Sequence, residues 1–161
     1  MSLVLRPAGE ADAGLVLHYI RALAEYEKLL HEVTATEVEL RRLLAGPRPM
    51  AEALIAEWEG RPVGFSLWFY SVSTFNGLAS LYVEDVFVEP AERGRGIGRA
   101  IFAHLAAHAL ARGCGRMEWS VLDWNAPSIA FYRSIGARPR EGWTLQQLSG
   151  PALNALAARE S

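Results

Sequence analysis

The feature that most constrains this chain is a strand, a glycine-rich loop and a helix in direct succession. Ser80 to Glu89 is an apolar run of strand length, carried by Leu81, Val83, Val86, Phe87 and Val88. Its alternation fails at Glu84-Asp85, where two adjacent carboxylates interrupt a segment that otherwise reads as buried. A β-bulge accounts for the break, because one extra residue re-aims a side chain without ending the strand. Asp85 is then expected to face away from Glu84 and to be structural. Pro90 closes the strand, Arg93-Gly94-Arg95-Gly96-Ile97-Gly98 follows, and Ile97 to Arg112 is an Ala- and Leu-rich helix with Gly113 as its C-cap.

A loop of this kind leaves several backbone N–H groups unpaired and aimed one way, with the helix dipole adding positive character. Glycines let a pyrophosphate approach the backbone, and Arg93, Arg95 and Arg99 supply mobile positive charge. The plain alternative is a solvated turn whose glycines serve geometry alone. Two phosphate motifs are excluded by spacing. A P-loop needs Lys-Ser/Thr after its last glycine, but Arg99-Ala100 follows Gly98. A dinucleotide fingerprint begun at Gly94 and Gly96 needs its third glycine where Arg99 stands.

Composition bounds what surrounds this unit. A chain of 161 residues is the size of one domain, and 51% apolar with 21% charged residues excludes disorder as the main state. A net charge of -2 argues against a broad nucleic-acid or anionic-membrane surface. The lone Cys114 makes no internal disulfide, Met1 to Pro7 does not resemble a signal peptide, and no apolar window is long enough to span a membrane. The expectation is a cytoplasmic single domain over 1–161.

The remaining chain reads as alternating strands and helices. Val4-Leu5 is a first strand, Ala11 to Leu30 a helix, and Thr36-Glu37-Val38-Glu39 opens a second helix stopped by Gly46-Pro47. Ala53 to Trp58 and Pro62 to Tyr70 form a hairpin around Glu59-Gly60-Arg61. Met117 to Leu122 is a strand, Ala126 to Ile135 a helix stopped by Gly136, Trp143 to Leu148 a last strand, and Pro151 to Arg159 a terminal helix. The fold class is therefore α/β, with a mixed sheet flanked by helices.

Read from Arg93, Gly96 and Gly98, the loop is Arg-x-x-Gly-x-Gly, and here the chain resembles the GNAT superfamily of acyl-CoA-dependent N-acetyltransferases. Leu81-Tyr82-Val83-Glu84-Asp85, Asp123-Trp124-Asn125-Ala126-Pro127-Ser128, Phe131-Tyr132, Gly136-Ala137, Tyr26-Glu27 and Glu141-Gly142-Trp143 are similar to the spermidine/spermine acetyltransferase branch. Their order and spacing span nearly the whole chain. The resemblance implies a mostly antiparallel sheet whose bulged strand leads into the glycine loop, and acetyl-CoA seated with its pyrophosphate at Arg93 to Arg99. It implies that Asn125, Ala126, Pro127 and Ser128 touch the pantetheine arm. It also implies a homodimer and no metal.

The chemistry asks for a base, an oxyanion site and an acid, because a primary amine is nearly all protonated at neutral pH. By the resemblance, Glu84 is the base, working through a water, and Tyr132 is the acid beside the departing thiolate. Backbone N–H groups splayed by the bulge at Val86, Phe87 and Val88 are candidates for the acetyl carbonyl. Tyr26, Glu27, Glu84 and Glu141 match the branch's acceptor-binding positions, and Trp68 and Phe75 are candidates to line an amine channel. The stretch Lys28-Leu29-Leu30-His31 and the neutral Ser71 to Phe75 carry less acid than polyamine-acetylating relatives do. The expected acceptor is a primary amine of a small diamine, a polyamine or a lysine-like molecule, with the lower acid content favouring a shorter or less charged one. A non-catalytic acyl-CoA sensor would lack the acid and base, both present here, and a protein N-acetyltransferase would need an open groove. His104 and His108 are i, i+4 but have no evident third ligand, and Cys114 has no evident base nearby.

Overall fold

The computed structural model of the chain describes residues 2–160. It divides into two compact units, Met1–Asn125 and Ala126–Ser161. The first holds a five-stranded sheet in the order β1 (Leu3–Pro7), β2 (Glu52–Trp58), β3 (Arg61–Ser73), β4 (Leu78–Val88) and β5 (Arg116–Glu118). All pairings are antiparallel except β4 with β5. Helices α1 (Ala13–Tyr26) and α2 (Glu37–Ala45) cover one face and α3 (Ile97–Ala111) the other.

Each face has its own apolar core. On the α1 side, Val16, Tyr19, Leu40, Ile55, Phe65 and Phe87 are buried together. On the α3 side, Leu54, Val63, Leu81, Val83, Ile101 and Leu105 are buried. Local chemistry explains the boundaries. Thr36 and Glu39 form a reciprocal capping box at the start of α2. Glu59 and Gly60 both have positive φ, the geometry of a tight two-residue hairpin turn. Gly64 lies so close to β4 that a Cβ there would meet the Phe87 carbonyl oxygen.

Three expected elements differ most from expectation. Helix α1 begins at Ala13, because Asp12 is engaged by Arg6 at 2.9 Å and by the Gly9 N–H at 2.7 Å in a preceding 3-10 turn. It ends at Tyr26, where Lys28 at φ 61° turns the chain. Strand β5 is three residues, pairing only with Ser80 to Tyr82, since β4 loses its regular register just beyond that point. Trp143 to Leu148 is not a strand: the unit Ala126–Ser161 contains only helical elements among its described residues, α4 (Ala126–Ser134), α5 (Gly150–Ala157) and a 3-10 turn. An extended segment there has no ladder partner within its unit, and Trp143 and Leu145 are 68% and 88% exposed. No described helix is long and apolar enough to cross a membrane.

Candidate active site

The bulge falls at Glu84. Leu67 pairs with Asp85 and Trp68 with Val83, so Glu84 is the extra residue without a partner on β3. Val83 and Val86 both pack into the α3-side core. The two residues between them are therefore carried to the α1 face together, and Asp85 does not face away from Glu84 as period-two alternation predicts. Glu84 is exposed, and Asp85 is half-buried beside it. Ser66 Oγ donates to the Asp85 carbonyl at 2.8 Å and fixes the backbone at this point.

The same ladder sets the amides that follow. The Glu89 N–H donates to Val63 at 2.8 Å. Antiparallel alternation then turns the Phe87 amide toward β3 and leaves those of Val86 and Val88 at the edge that β5 does not reach. Arg93 Nε donates to the Val88 carbonyl at 2.9 Å, consistent with that edge being open. Of the three candidate amides, two are available for an acetyl oxygen and one is spent in the sheet.

Gly94 and Gly96 both sit at φ 79°, and a Cβ at either would meet nothing within 4 Å. Gly96 is the N-cap of α3, followed by Ile97, which is buried, and Gly98, half-buried on the first turn. A helix N-terminus presents its first amides without intrahelical acceptors, and these, with the open space beside Gly94 and Gly96, fit a pyrophosphate. Two of the three arginines, Arg93 and Arg95, have partners within the protein. The Arg93 guanidinium lies 5.0 Å above the Tyr26 ring and 5.5 Å from that of Phe87. Arg95 is 3.2 Å from Glu92, a buried carboxylate that also meets Arg61 at 3.2 Å, and it stacks on Trp58. Arg99, on the first turn of α3, is exposed.

Tyr26 joins the end of α1 to the loop and to the segment before α4: besides Arg93, it meets Asn125 Oδ1 at 3.3 Å and the Trp124 ring at 6.2 Å. Asn125 is buried, and Ala126, Pro127 and Ser128 begin α4. Glu27 is the C-cap of α1, and burial raises its carboxyl above the ordinary value. Burial first, then the charges of Glu84 and Glu27, push Asp85 up to about 7. Among the described residues no cation pairs with any of these three carboxylates.

In the second unit, Tyr132 lies on α4, half-buried, with its ring 5.6 Å from Phe131, and its carbonyl accepts from the Ala137 N–H in the turn that Gly136 makes. Glu141 is exposed in the loop before Gly142. Trp68 lines no channel: it is 4% exposed in the α3-side core, edge-on to His108. Phe75, by contrast, is 93% exposed between β3 and β4. His108 is held by the Tyr70 hydroxyl at 2.8 Å and lies 3.7 Å from Glu52, so its contacts are those of a packed surface network. Among the described residues no group of three or more His, Cys, Asp or Glu is placed to hold a metal ion.

The sequence model of the Acetyltransferase (GNAT) family matches residues 18–137, across the boundary between the two units. The chain is 38% identical over 169 residues to a thialysine N-epsilon-acetyltransferase of Sus scrofa, covering 98% of this chain and 99% of that protein. It is 31% identical to the human spermidine/spermine N(1)-acetyltransferase-like protein 1 over 97% of this chain, which spans 24% of that longer protein. An integron cassette protein from the mobile metagenome of V. cholerae shares the fold, with a TM-score of 0.80, 24% identity and 98% of each chain covered.

Proposed function

The chain belongs to the GNAT acetyltransferase family and is an N-acetyltransferase; from that premise we propose that it moves the acetyl group of acetyl-CoA to the side-chain amine of a lysine-like amino acid or a short diamine. The observation that carries this reading is the bulge at Glu84, which sets a carboxylate on the strand that runs into the glycine-rich loop. Its full-length likeness to a thialysine acetyltransferase favours a single ω-amine over a long polycation. The low acid content of Lys28 to His31 and Ser71 to Phe75 agrees. The two units act as one catalytic domain in this reading, since the family match runs through both.

In the proposed reaction, the ammonium loses its proton to Glu84 through a water, and the free amine attacks the thioester carbonyl. The developing oxyanion is met by the Val86 and Val88 amides at the open edge of β4. As the C–S bond breaks, Tyr132 gives its proton to the thiolate. Gly94, Gly96, Gly98, Arg93 and Arg99 hold the pyrophosphate end, with Asn125 to Ser128 along the pantetheine arm. Tyr26, Glu27 and Glu141 receive the amine's carbon chain and its second charge.

A thiol-release assay over lysine, thialysine, ornithine, diamines, polyamines and peptides tests the reading. The highest kcat/KM is expected for a lysine-like amine, and release with peptides alone would overturn it. Within the site, Glu84→Gln is expected to lower kcat, with part of the loss recovered at high pH where the amine arrives neutral. Glu27→Gln is expected to raise KM for the amine and leave kcat little changed. If Glu84→Gln moves only KM and keeps the wild-type pH profile, Glu84 binds the amine without acting as its base.

The reading includes a homodimer. Trp143, Leu145, Leu148, Leu153 and Leu156 are each at least half exposed, apolar side chains that a second copy would cover. Light scattering at micromolar concentration is expected to return twice the mass of the chain, and a monomer mass removes this part of the reading.

A further inference from the structure

We infer that Asp85 is a second proton acceptor standing behind Glu84, so that the proton leaving the bound ammonium comes to rest on the Asp85 carboxylate until acetyl transfer is complete. The inference rests on the acetyl-transfer reading above and deepens it. Its basis is the register of β4. With Val83 and Val86 both committed to the α3-side core, the one-residue bulge places two consecutive carboxyl groups on the same face, the outer one exposed and the inner one half-buried. Period-two alternation would have sent Asp85 into the opposite core, where a carboxylate has no use.

The groups packed around Asp85 define its charge balance. Its own strand supplies Glu84, and α1 supplies Glu27 at its C-cap. Strand β3 supplies Ser66 and Leu67, neither of them charged, and Ser66 is spent on the Asp85 carbonyl rather than its side chain. The loop cation Arg93 is held over Tyr26 and Phe87. Burial and the neighbouring carboxyl groups of Glu84 and Glu27, with no paired cation among the described residues, disfavour the charge on Asp85, so its carboxylate takes up a proton more readily than an ordinary one. The upward shift of Asp85 to about 7 agrees with that placement, and an acceptor tuned near neutrality is what a general base needs.

The step balances. The ammonium N–H bond breaks, and its proton passes through Glu84 to the ionised Asp85. The nitrogen lone pair then forms the N–C bond, and the C–S bond breaks with its electron pair going to sulfur. Sulfur takes the Tyr132 proton, and the nitrogen's second proton returns to Tyr132 as the amide forms. Asp85 then releases its proton to water, giving one proton per turnover.

Two measurements test this. Carbon NMR of aspartate-labelled protein without substrates is expected to show one side-chain carboxyl titrating near pH 7. It should be absent in Asp85→Asn and shifted downward in Glu84→Gln and Glu27→Gln. In kinetics with a saturating lysine analogue and acetyl-CoA, Asp85→Asn is expected to lower kcat by roughly 10²-fold and to remove the inflection near pH 7, with KM for the amine little changed and Asp85→Glu restoring part of the rate. Urea unfolding checks that the variant is folded and reads the same proton. Because the folded carboxyl lies above its ordinary 3.8, the native state holds more protons, and wild-type stability falls as pH rises from about 4 to about 7. Asp85→Asn should lack that fall. Wild-type kcat and pH profile in Asp85→Asn, alongside a loss in Glu84→Gln, would overturn the inference and leave Glu84 as the only base. No carboxyl titrating near pH 7 would overturn it as well. If the wild type acetylates no amine while the carboxyl still titrates, it is the acetyl-transfer reading that fails, and the acceptor role falls with it.

Discussion

Replacing Tyr132 by Phe is expected to leave the fold and acetyl-CoA affinity intact while lowering kcat by roughly 10²–10⁴-fold, the range for loss of a positioned general acid. The substitution removes one oxygen and keeps the ring that packs near Phe131 on α4. If the hydroxyl served packing alone, its loss would cost about 1 kcal/mol of stability and nothing in rate. If it protonates the departing thiolate, the loss falls on the transition state, so kcat and kcat/KM fall together. The measurement is steady-state kcat, with a pre-steady-state trace showing that chemistry limits the rate. Calorimetry on the same preparation confirms that acetyl-CoA still binds. A near-normal kcat under those conditions assigns Tyr132 to packing and sends the search for the acid elsewhere.

What could be read from the sequence was what the sequence encodes locally. The run from Leu81 through Gly98 to Ala111 announces strand, loop and helix because apolar spacing, glycines and an Ala-rich stretch lie next to one another in the chain. The bulge was legible for the same reason, since Glu84-Asp85 breaks the alternation on its own. Its consequence was not. Which face Asp85 takes depends on where β3 resumes its register at Leu67, and that is a partner strand's property. The held state of Arg95 likewise depends on Glu92, Arg61 and Trp58, brought together from two strands and a loop. Trp68 went to the core because β3 places it against α3, which no local pattern states. The misread strand at Trp143 to Leu148 shows the converse: β-favouring residues make a strand only where an edge is there to pair with. Tyr26 was legible only through resemblance, and the structure gives it physical content by joining it to Arg93 and Asn125.

Gly96→Val is expected to weaken acetyl-CoA binding by roughly 100-fold, about 2.7 kcal/mol, while the protein still folds. Gly96 has φ 79° and ψ 5° at the N-cap of α3. A β-branched residue is disfavoured in that left-handed conformation by about 1–2 kcal/mol, a modest loss for a domain with two full cores. Space is not the obstacle in the free protein, since a Cβ at Gly96 meets nothing within 4 Å. That open space is where a pyrophosphate would reach the first amides of α3, and the valine methyl groups would fill it. Backbone strain and blocked approach can be separated, because Gly113 offers a control. It lies at the other end of α3 with φ 74° and equally open surroundings. Gly113→Val should therefore bear a similar strain and keep wild-type affinity. Calorimetric titration of acetyl-CoA into both variants decides the point. Loss in Gly96→Val alone places the pyrophosphate on the loop, equal loss in both reports strain, and unchanged binding in Gly96→Val moves the coenzyme's phosphates off the glycine turn.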